Sequence, residues 1–152
     1  MGDERTVATL NELIRIGRDG EDFCAVASRL AAAHLAILLR QRGEEWGRMS
    51  DELQALVLLL GGEPARLPSP GARALHLGLA ARARLWGLDE SLILKRWQRL
   101  EHTGLSRYEA ATTGPLPERI RRTLTLQTER TRRRLQQASG LSGHPLAASP
   151  IV

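Results

Sequence analysis

Apolar residues recur every three or four positions along most of the chain, and few folds are compatible with this spacing. It is typical of helices that bury one face, whereas a half-buried strand alternates at every second residue. Aromatic residues make up only 3% of the 152 residues, and leucine, alanine, arginine and glutamate abound. Because bulky and β-branched residues favour strands, this composition also favours helices. The sequence predicts one all-α domain.

Capping residues, glycines and prolines interrupt this pattern and predict where the helices begin and end. The first helix is predicted from Thr6 or Thr9, either of which can cap it, to Gly43. The second is predicted from Glu44 to the Gly61-Gly62 pair, and three prolines then predict an irregular crossover over 63–71.

The rest of the chain is divided in the same way. A short helix is predicted over 72–86, and Asp89 can cap a third long helix that reaches Ala111. The inner face of the fourth long helix carries residues at helical spacing: Ile120, Leu124, Gln127, Thr131 and Leu135.

Loop lengths predict how these helices are arranged. Short turns make the first and second long helices antiparallel, and likewise the third and fourth, while the crossover lets the second and third run parallel. This is a ferritin-like four-helix bundle with a short extra helix in the crossover. The bundle is expected over 6–137, and 138–152, rich in serine, glycine, proline and alanine, is expected to be a flexible tail.

Several polar residues occupy positions where a bundle normally places leucine. Glu101 shares an apolar stripe with Leu94, Trp97 and Tyr108. A buried carboxylate needs a cation, a hydrogen-bonding neighbour or a metal. Similar residues on the other helices predict a polar interior: Glu21, His34, Glu52 and Gln127.

A metal site is one interpretation of that interior, with Glu52, Glu101, His34 and Glu21 as ligands for iron or manganese. Di-iron bundles use two Glu-x-x-His pairs. Neither pair is present, because the residues three positions after Glu52 and Glu101 are Ala55 and Gly104 instead of histidine. The simpler interpretation is that these groups bond to one another or to arginines, so no cofactor is expected.

Other candidate sites are weaker. Cys24 is the only cysteine, which excludes an intrachain disulfide, and its inward position predicts a small buried apolar residue. His76 and His102 lack partners at a spacing that suggests a relay, and both are expected at the surface or an edge. The N-terminus lacks a signal peptide pattern and no apolar run reaches membrane length, so a cytoplasmic location is expected.

Surface composition suggests two kinds of partner. The last helix is rich in arginine and the net charge is +5, which permits nucleic-acid binding. Glu118 and Glu129 interrupt that arginine stripe and stacking aromatics are absent, so a solvated face is the preferred interpretation. The three tryptophans are candidate anchors for packing or for a homodimer interface: Trp46, Trp86 and Trp97.

Short sequence blocks resemble a known family. They are Thr9–Ile14, Asp19–Glu21, Glu52–Val57 leading into Leu60–Pro64, Ala74–His76, and Glu101 followed by Tyr108-Glu109. The chain is similar in these blocks to a bacterial family of small ferritin-like four-helix-bundle proteins described as a domain of unknown function. The resemblance implies the bundle fold and allows a stress-linked role, as in many ferritin-like proteins, but implies no activity.

Three functions are therefore carried forward from the sequence. The first is a non-catalytic helical bundle that acts by self-association or by binding a protein partner. The second is a metal-binding, di-iron-like oxidoreductase with carboxylates in its core. The third is a nucleic-acid-associated protein that uses its last helix.

Overall fold

Five helices make up the computed structural model, which describes residues 2–143. They are α1 (Gly2–Leu30), α2 (Ala33–Leu59), α3 (Pro70–Trp86), α4 (Glu90–Thr113) and α5 (Glu118–Gly143). The described part of the chain contains no strand, so the all-α prediction is confirmed. Within it, no helix combines the length and apolar character needed to span a membrane.

The first interhelix turn lies at residues 31–32, so the predicted boundary at Gly43 is wrong. Gly43 is buried inside α2, where a Cβ atom would come within 2.9 Å of the Cβ of Cys24. Similarly, a Cβ on Gly20 of α1 would lie 2.7 Å from Nε1 of Trp46. These glycines allow α1 and α2 to approach closely, and they do not end a helix.

The crossover after α2 is irregular, as predicted, and is held by α1. Gly61 adopts a φ of 76° at the end of α2, which favours glycine. Asn11 of α1 then binds the crossover twice: its Nδ2 donates to the carbonyl of Glu63 at 2.9 Å, and its Oδ1 accepts from the amide of Ala65 at 2.7 Å.

The later helix starts agree with the sequence pattern, but α5 continues past 137, where the bundle was predicted to end. Asp89 caps α4 by accepting a hydrogen bond from the amide of Ser91 at 3.0 Å. α5 begins at Glu118, immediately after Pro117, and continues to Gly143. Of the proposed tail over 138–152, residues 144–152 lie outside the described residues.

Contacts at both ends of α4 determine its direction. Arg107 pairs with Glu12 at 3.0 Å, and Glu90 accepts a hydrogen bond from the amide of Ala32 at 3.2 Å. α4 is therefore antiparallel to α1 and parallel to α2, as the long crossover predicts. α3 lies outside these helices and packs on α1. This arrangement is compatible with the ferritin-like topology, which stays a prediction.

The core lies between α1, α2, α4 and α5. Its largest fully buried side chains include Trp46, Phe23 and Tyr108, and leucines and isoleucines from these helices fill the space between them. Leu10, Leu13, Ile14, Leu39, Leu53, Ile93 and Leu124 are all fully buried. Polar residues enter this core at a small number of positions, and these positions make up the candidate site.

Candidate functional site

Glu101 lies in the centre of the bundle and pairs with an arginine from α2. Glu101 is 0% exposed and Arg42 is 2% exposed. Arg42 donates through Nε to Oε1 and through Nη2 to Oε2, the latter at 2.6 Å. The indole Nε1 of Trp97 donates to Oε1 at 2.9 Å. The carboxylate is thus held by three donors, in the bidentate geometry that guanidinium groups favour.

Arg42 has further partners that connect three helices. Its guanidinium carbon lies 4.2 Å from the ring centroid of Trp46, a cation–π arrangement. Its Nη1 lies 3.5 Å from Oε2 of Glu45, which also pairs with Arg134 of α5. Nη1 has no hydrogen-bond partner within residues 2–143. Because a guanidinium does not deprotonate in proteins, this ion pair is unsuited to proton transfer.

Sequence reasoning missed Arg42, although a signal was present. Arg42 falls on the same apolar stripe of α2 as Leu35, Leu39 and Trp46, at helical spacing. The predicted helix end at Gly43 separated it from Trp46. Arginine is also abundant throughout the chain, so its presence at position 42 did not indicate a buried residue.

A second polar layer lies next to this ion pair. Tyr108 donates through its hydroxyl to Oε1 of Gln127 at 2.7 Å. The amide nitrogen of Gln127 donates to the carbonyl of Met49 at 3.2 Å and to Oε2 of Glu52 at 2.9 Å. Burial raises the pKa of Tyr108, so this phenol stays a neutral donor. The predicted inward positions of Glu101 and Gln127 are confirmed by their burial.

The four proposed metal ligands occupy different environments. Glu21 is partly exposed and pairs with Arg18 at 2.8 Å, while Glu52 is half exposed at the α2–α5 edge. His34 is exposed in the first turn of α2, so its predicted inward position is wrong. The early turn at residues 31–32 places it at the end of the bundle.

Glu101 is engaged by Arg42 and Trp97, whereas Glu21 pairs with Arg18 and Glu52 accepts from Gln127. Within residues 2–143, no three histidine, cysteine, aspartate or glutamate side chains are grouped closely enough to hold a metal ion. Metal binding stays a prediction without an assembled ligand set in that part of the chain.

Cys24 lies in the core beside this polar layer, as predicted. It is a free, buried thiol. Burial raises its pKa to about 12, against a smaller lowering by Arg42. The thiol is therefore protonated at neutral pH, which does not suit a nucleophile.

His76 is buried, so its predicted surface position is wrong. Its side chain is 1% exposed, its Nδ1 lies 2.7 Å from Oδ2 of Asp22, and its ring contacts Phe23 edge to face. Asp22 lies 54 residues away in sequence, so short-range spacing could not reveal this pair.

Carboxylates partly neutralise the arginines of α5. Arg132 pairs with Glu129 at 2.8 Å and with Glu109 at 3.4 Å. Arg121 donates to the carbonyl of Gly114 at 2.9 Å, which closes the α4–α5 turn. This arrangement suits a solvated, intramolecularly paired helix face.

Residues 5–114, which span nearly all of α1 to α4, match the family described as "Domain of unknown function (DUF2383)". The chain therefore belongs to this family. No curated protein matches the chain. Because the family description carries no activity, functional conclusions depend on the residues themselves.

Proposed function

We propose that this member of the DUF2383 family is a non-catalytic helical bundle that acts by self-association through α3. The observation that carries the proposal is an apolar stripe on the outer side of α3. This stripe, which we call the α3 stripe, consists of Leu77, Ala81 and Leu85, all of which are exposed. Leu77 and Leu85 are 61% and 70% exposed, and such a contiguous apolar surface favours an interface.

Spacing in the α3 stripe suits pairing with a second copy. Its members recur every four residues, so they form one line along the helix. The small side chain of Ala81 lies in the middle of the line and permits close approach of a second helix. Leucines flank it four residues away on either side, at positions 77 and 85.

The symmetric spacing of the α3 stripe favours an antiparallel pair with a twofold axis at Ala81. A twofold interface brings each residue opposite its symmetry mate, so Leu77 of one copy would face Leu85 of the other.

The polar interior supports a non-catalytic role. Glu101 is engaged by Arg42 and Trp97, and Tyr108 is engaged by Gln127. These groups connect helices to one another and are buried away from solvent. We include in the proposal a cytoplasmic location, in which Cys24 stays reduced, and the ferritin-like topology.

Sedimentation velocity across a range of protein concentrations tests the proposal. The parent is expected to form a reversible dimer. Ala81→Glu should weaken it at least tenfold, because the twofold axis places two like charges together. Leu85→Glu should act in the same direction. Both substitutions are at exposed positions, so folding should be retained.

Leu126→Glu supplies the matched control, because Leu126 is 60% exposed but lies on α5. It should leave the dimer unchanged. A parent that stays monomeric at every concentration contradicts the proposal. So does a dimer that Ala81→Glu and Leu85→Glu leave intact.

A further inference from the structure

A cavity of about 470 Å³ lies between α3 and α4, on a different side of α3 from Leu77 and Leu85. Its α4 wall consists of four residues at helical spacing: Leu92, Lys95, Arg96 and Arg99. Leu75, His76, Leu79 and Arg82 are among the residues that line it from α3. The volume is within the range of small-molecule sites.

Two buried nitrogen atoms at this cavity lack hydrogen-bond partners within the described chain. One is Nε2 of His76, a residue that is 1% exposed and whose Nδ1 faces Asp22. The other is Nε of Arg96. A buried polar atom without a partner is costly, so a ligand that supplied one would stabilise the protein.

The side chains around the cavity are strongly cationic. Arg82, Lys95 and Arg99 are exposed at its rim, and none of the described residues that line it is a carboxylate. Asp22 faces His76 from α1, and Asp19 of α1 attracts Arg96 but also binds Ser69. Burial, together with the charge of Arg99, lowers the pKa of Arg96. An anion in the cavity would relieve this repulsion.

We propose that this cavity binds a phosphate monoester that carries an apolar group. Guanidinium groups match the geometry of phosphate oxygens, and a cluster of cations favours a doubly charged anion over a monocarboxylate. The aliphatic side chains of Leu75, Leu79 and Leu92 line the same cavity, so they would contact the apolar group.

His76 gives a further reason to choose phosphate. Because Nδ1 faces the Asp22 carboxylate, Nδ1 carries a hydrogen, and Nε2 is the ring nitrogen that is left for a ligand. A charged imidazolium would donate from Nε2 to a phosphate oxygen. A neutral ring would accept at Nε2 from the hydroxyl of a phosphate monoanion, which is populated near neutral pH. An ionised carboxylate ligand could accept a hydrogen bond from the charged imidazolium, but it has no hydrogen to donate to the neutral ring.

Isothermal titration calorimetry with hexyl phosphate tests the proposal on the full-length chain. Saturable binding is expected, and Arg99→Gln and Arg82→Gln should each weaken it about tenfold, the effect of losing one charge-assisted contact. Both arginines are exposed, so folding should be unaffected. Arg133→Gln, an exposed arginine of α5, is the matched control and should bind like the parent.

Two further ligands test the contribution of the apolar group and distinguish a soluble phosphate monoester from a lipid headgroup. Inorganic phosphate should bind more weakly than hexyl phosphate, because it makes no aliphatic contact. The second ligand is a set of phosphatidylcholine vesicles with and without phosphatidic acid. If the protein sediments with the vesicles only when they contain phosphatidic acid, and only when Arg99 is present, the source is a lipid. Hexyl phosphate binding without vesicle binding identifies a soluble source, and both results support the proposal.

The proposal is overturned if hexyl phosphate does not bind, or if Arg99→Gln and Arg82→Gln leave its affinity unchanged. Equal affinity for inorganic phosphate also overturns it, since the aliphatic side chains would then contribute nothing. The Ala81→Glu variant should bind hexyl phosphate like the parent. The site thus stands independently of self-association.

Discussion

Replacing Glu101 with alanine removes one half of the buried ion pair and leaves the other half in place. Arg42 would stay charged because a guanidinium does not deprotonate in proteins, and at 2% exposure it could not reach water without moving helices. Trp97 would lose its acceptor as well. Breaking such a pair on one side costs about 3–5 kcal/mol. A domain of this kind has a total stability of about 5–15 kcal/mol, so the variant should be severely destabilised.

Because Arg42 is the partner of Glu101, a substitution at position 101 preserves stability only if the charge of Arg42 is removed as well. From the sequence alone, Glu101→Leu is expected to be neutral or stabilising if the carboxylate is buried and paired. The structure contradicts this expectation, since the leucine variant would strand Arg42 just as alanine does. Only the double variant Arg42→Met/Glu101→Leu replaces both charges with apolar volume. It should lie near the parent or exceed it, by up to about 4 kcal/mol.

A double-mutant cycle measured by urea unfolding and far-ultraviolet circular dichroism tests this reasoning. The single variants Arg42→Met and Glu101→Leu should each lose about 3–5 kcal/mol, and the double variant should recover most of the loss. If the double variant lies near the parent, the coupling energy should therefore be about 6 kcal/mol or more. If both single variants unfold within about 1 kcal/mol of the parent, the pair is not buried and the assignment is refuted.

Elemental analysis of the same proteins addresses the metal prediction. Stoichiometric iron or manganese in the parent that is lost from Glu101→Ala would move the function towards the oxidoreductase alternative. It would also show that this carboxylate has a partner besides Arg42 and Trp97.

The remaining predictions concern packing and the buried thiol. Gly20→Val should cost about 1–3 kcal/mol, because even its Cβ would meet the ring of Trp46 at 2.7 Å. Gly78→Ala, at a helical position with no atom near the added Cβ, should instead gain about 0.5–1 kcal/mol in the same urea assay. Cys24 should resist iodoacetamide at pH 8 until urea unfolds the chain, and prompt labelling of the native protein would contradict its burial. Because its pKa rises from 9.0 to about 12 on folding, the unfolded state ionises first. Stability should therefore fall as pH rises from about 9 to 12, by about 1.4 kcal/mol per unit, and Cys24→Ala should reduce that slope.

Local patterns were sufficient wherever neighbours in sequence decide the structure. Asp89 caps α4 because the donor at Ser91 is two residues away, and Gly61 ends α2 because its own backbone requires a positive φ. The inward position of Glu101 follows from its place on one helical stripe. Each of these features depends on residues that are close together in the sequence, so the sequence alone was enough to predict it.

Gly43 shows where local patterns mislead. Glycine near the end of a periodic run predicts a helix end, but here it allows close contact with Cys24 on α1. Sequence does not separate these two uses, because both need the absence of a Cβ atom. The difference lies in what approaches the residue, and that depends on the packing of another helix.

The sequence by itself therefore determined that the protein is all-α, approximately where most helices lie, and that Glu101 and Gln127 face inward. Only the tertiary structure decided that Arg42 neutralises Glu101, that Asp22 faces a buried His76, and that His34 stays outside. Helical periodicity depends on each residue's own neighbours along the chain. The choice of partner depends on side chains 54 and 59 residues apart, which come together only when the helices pack.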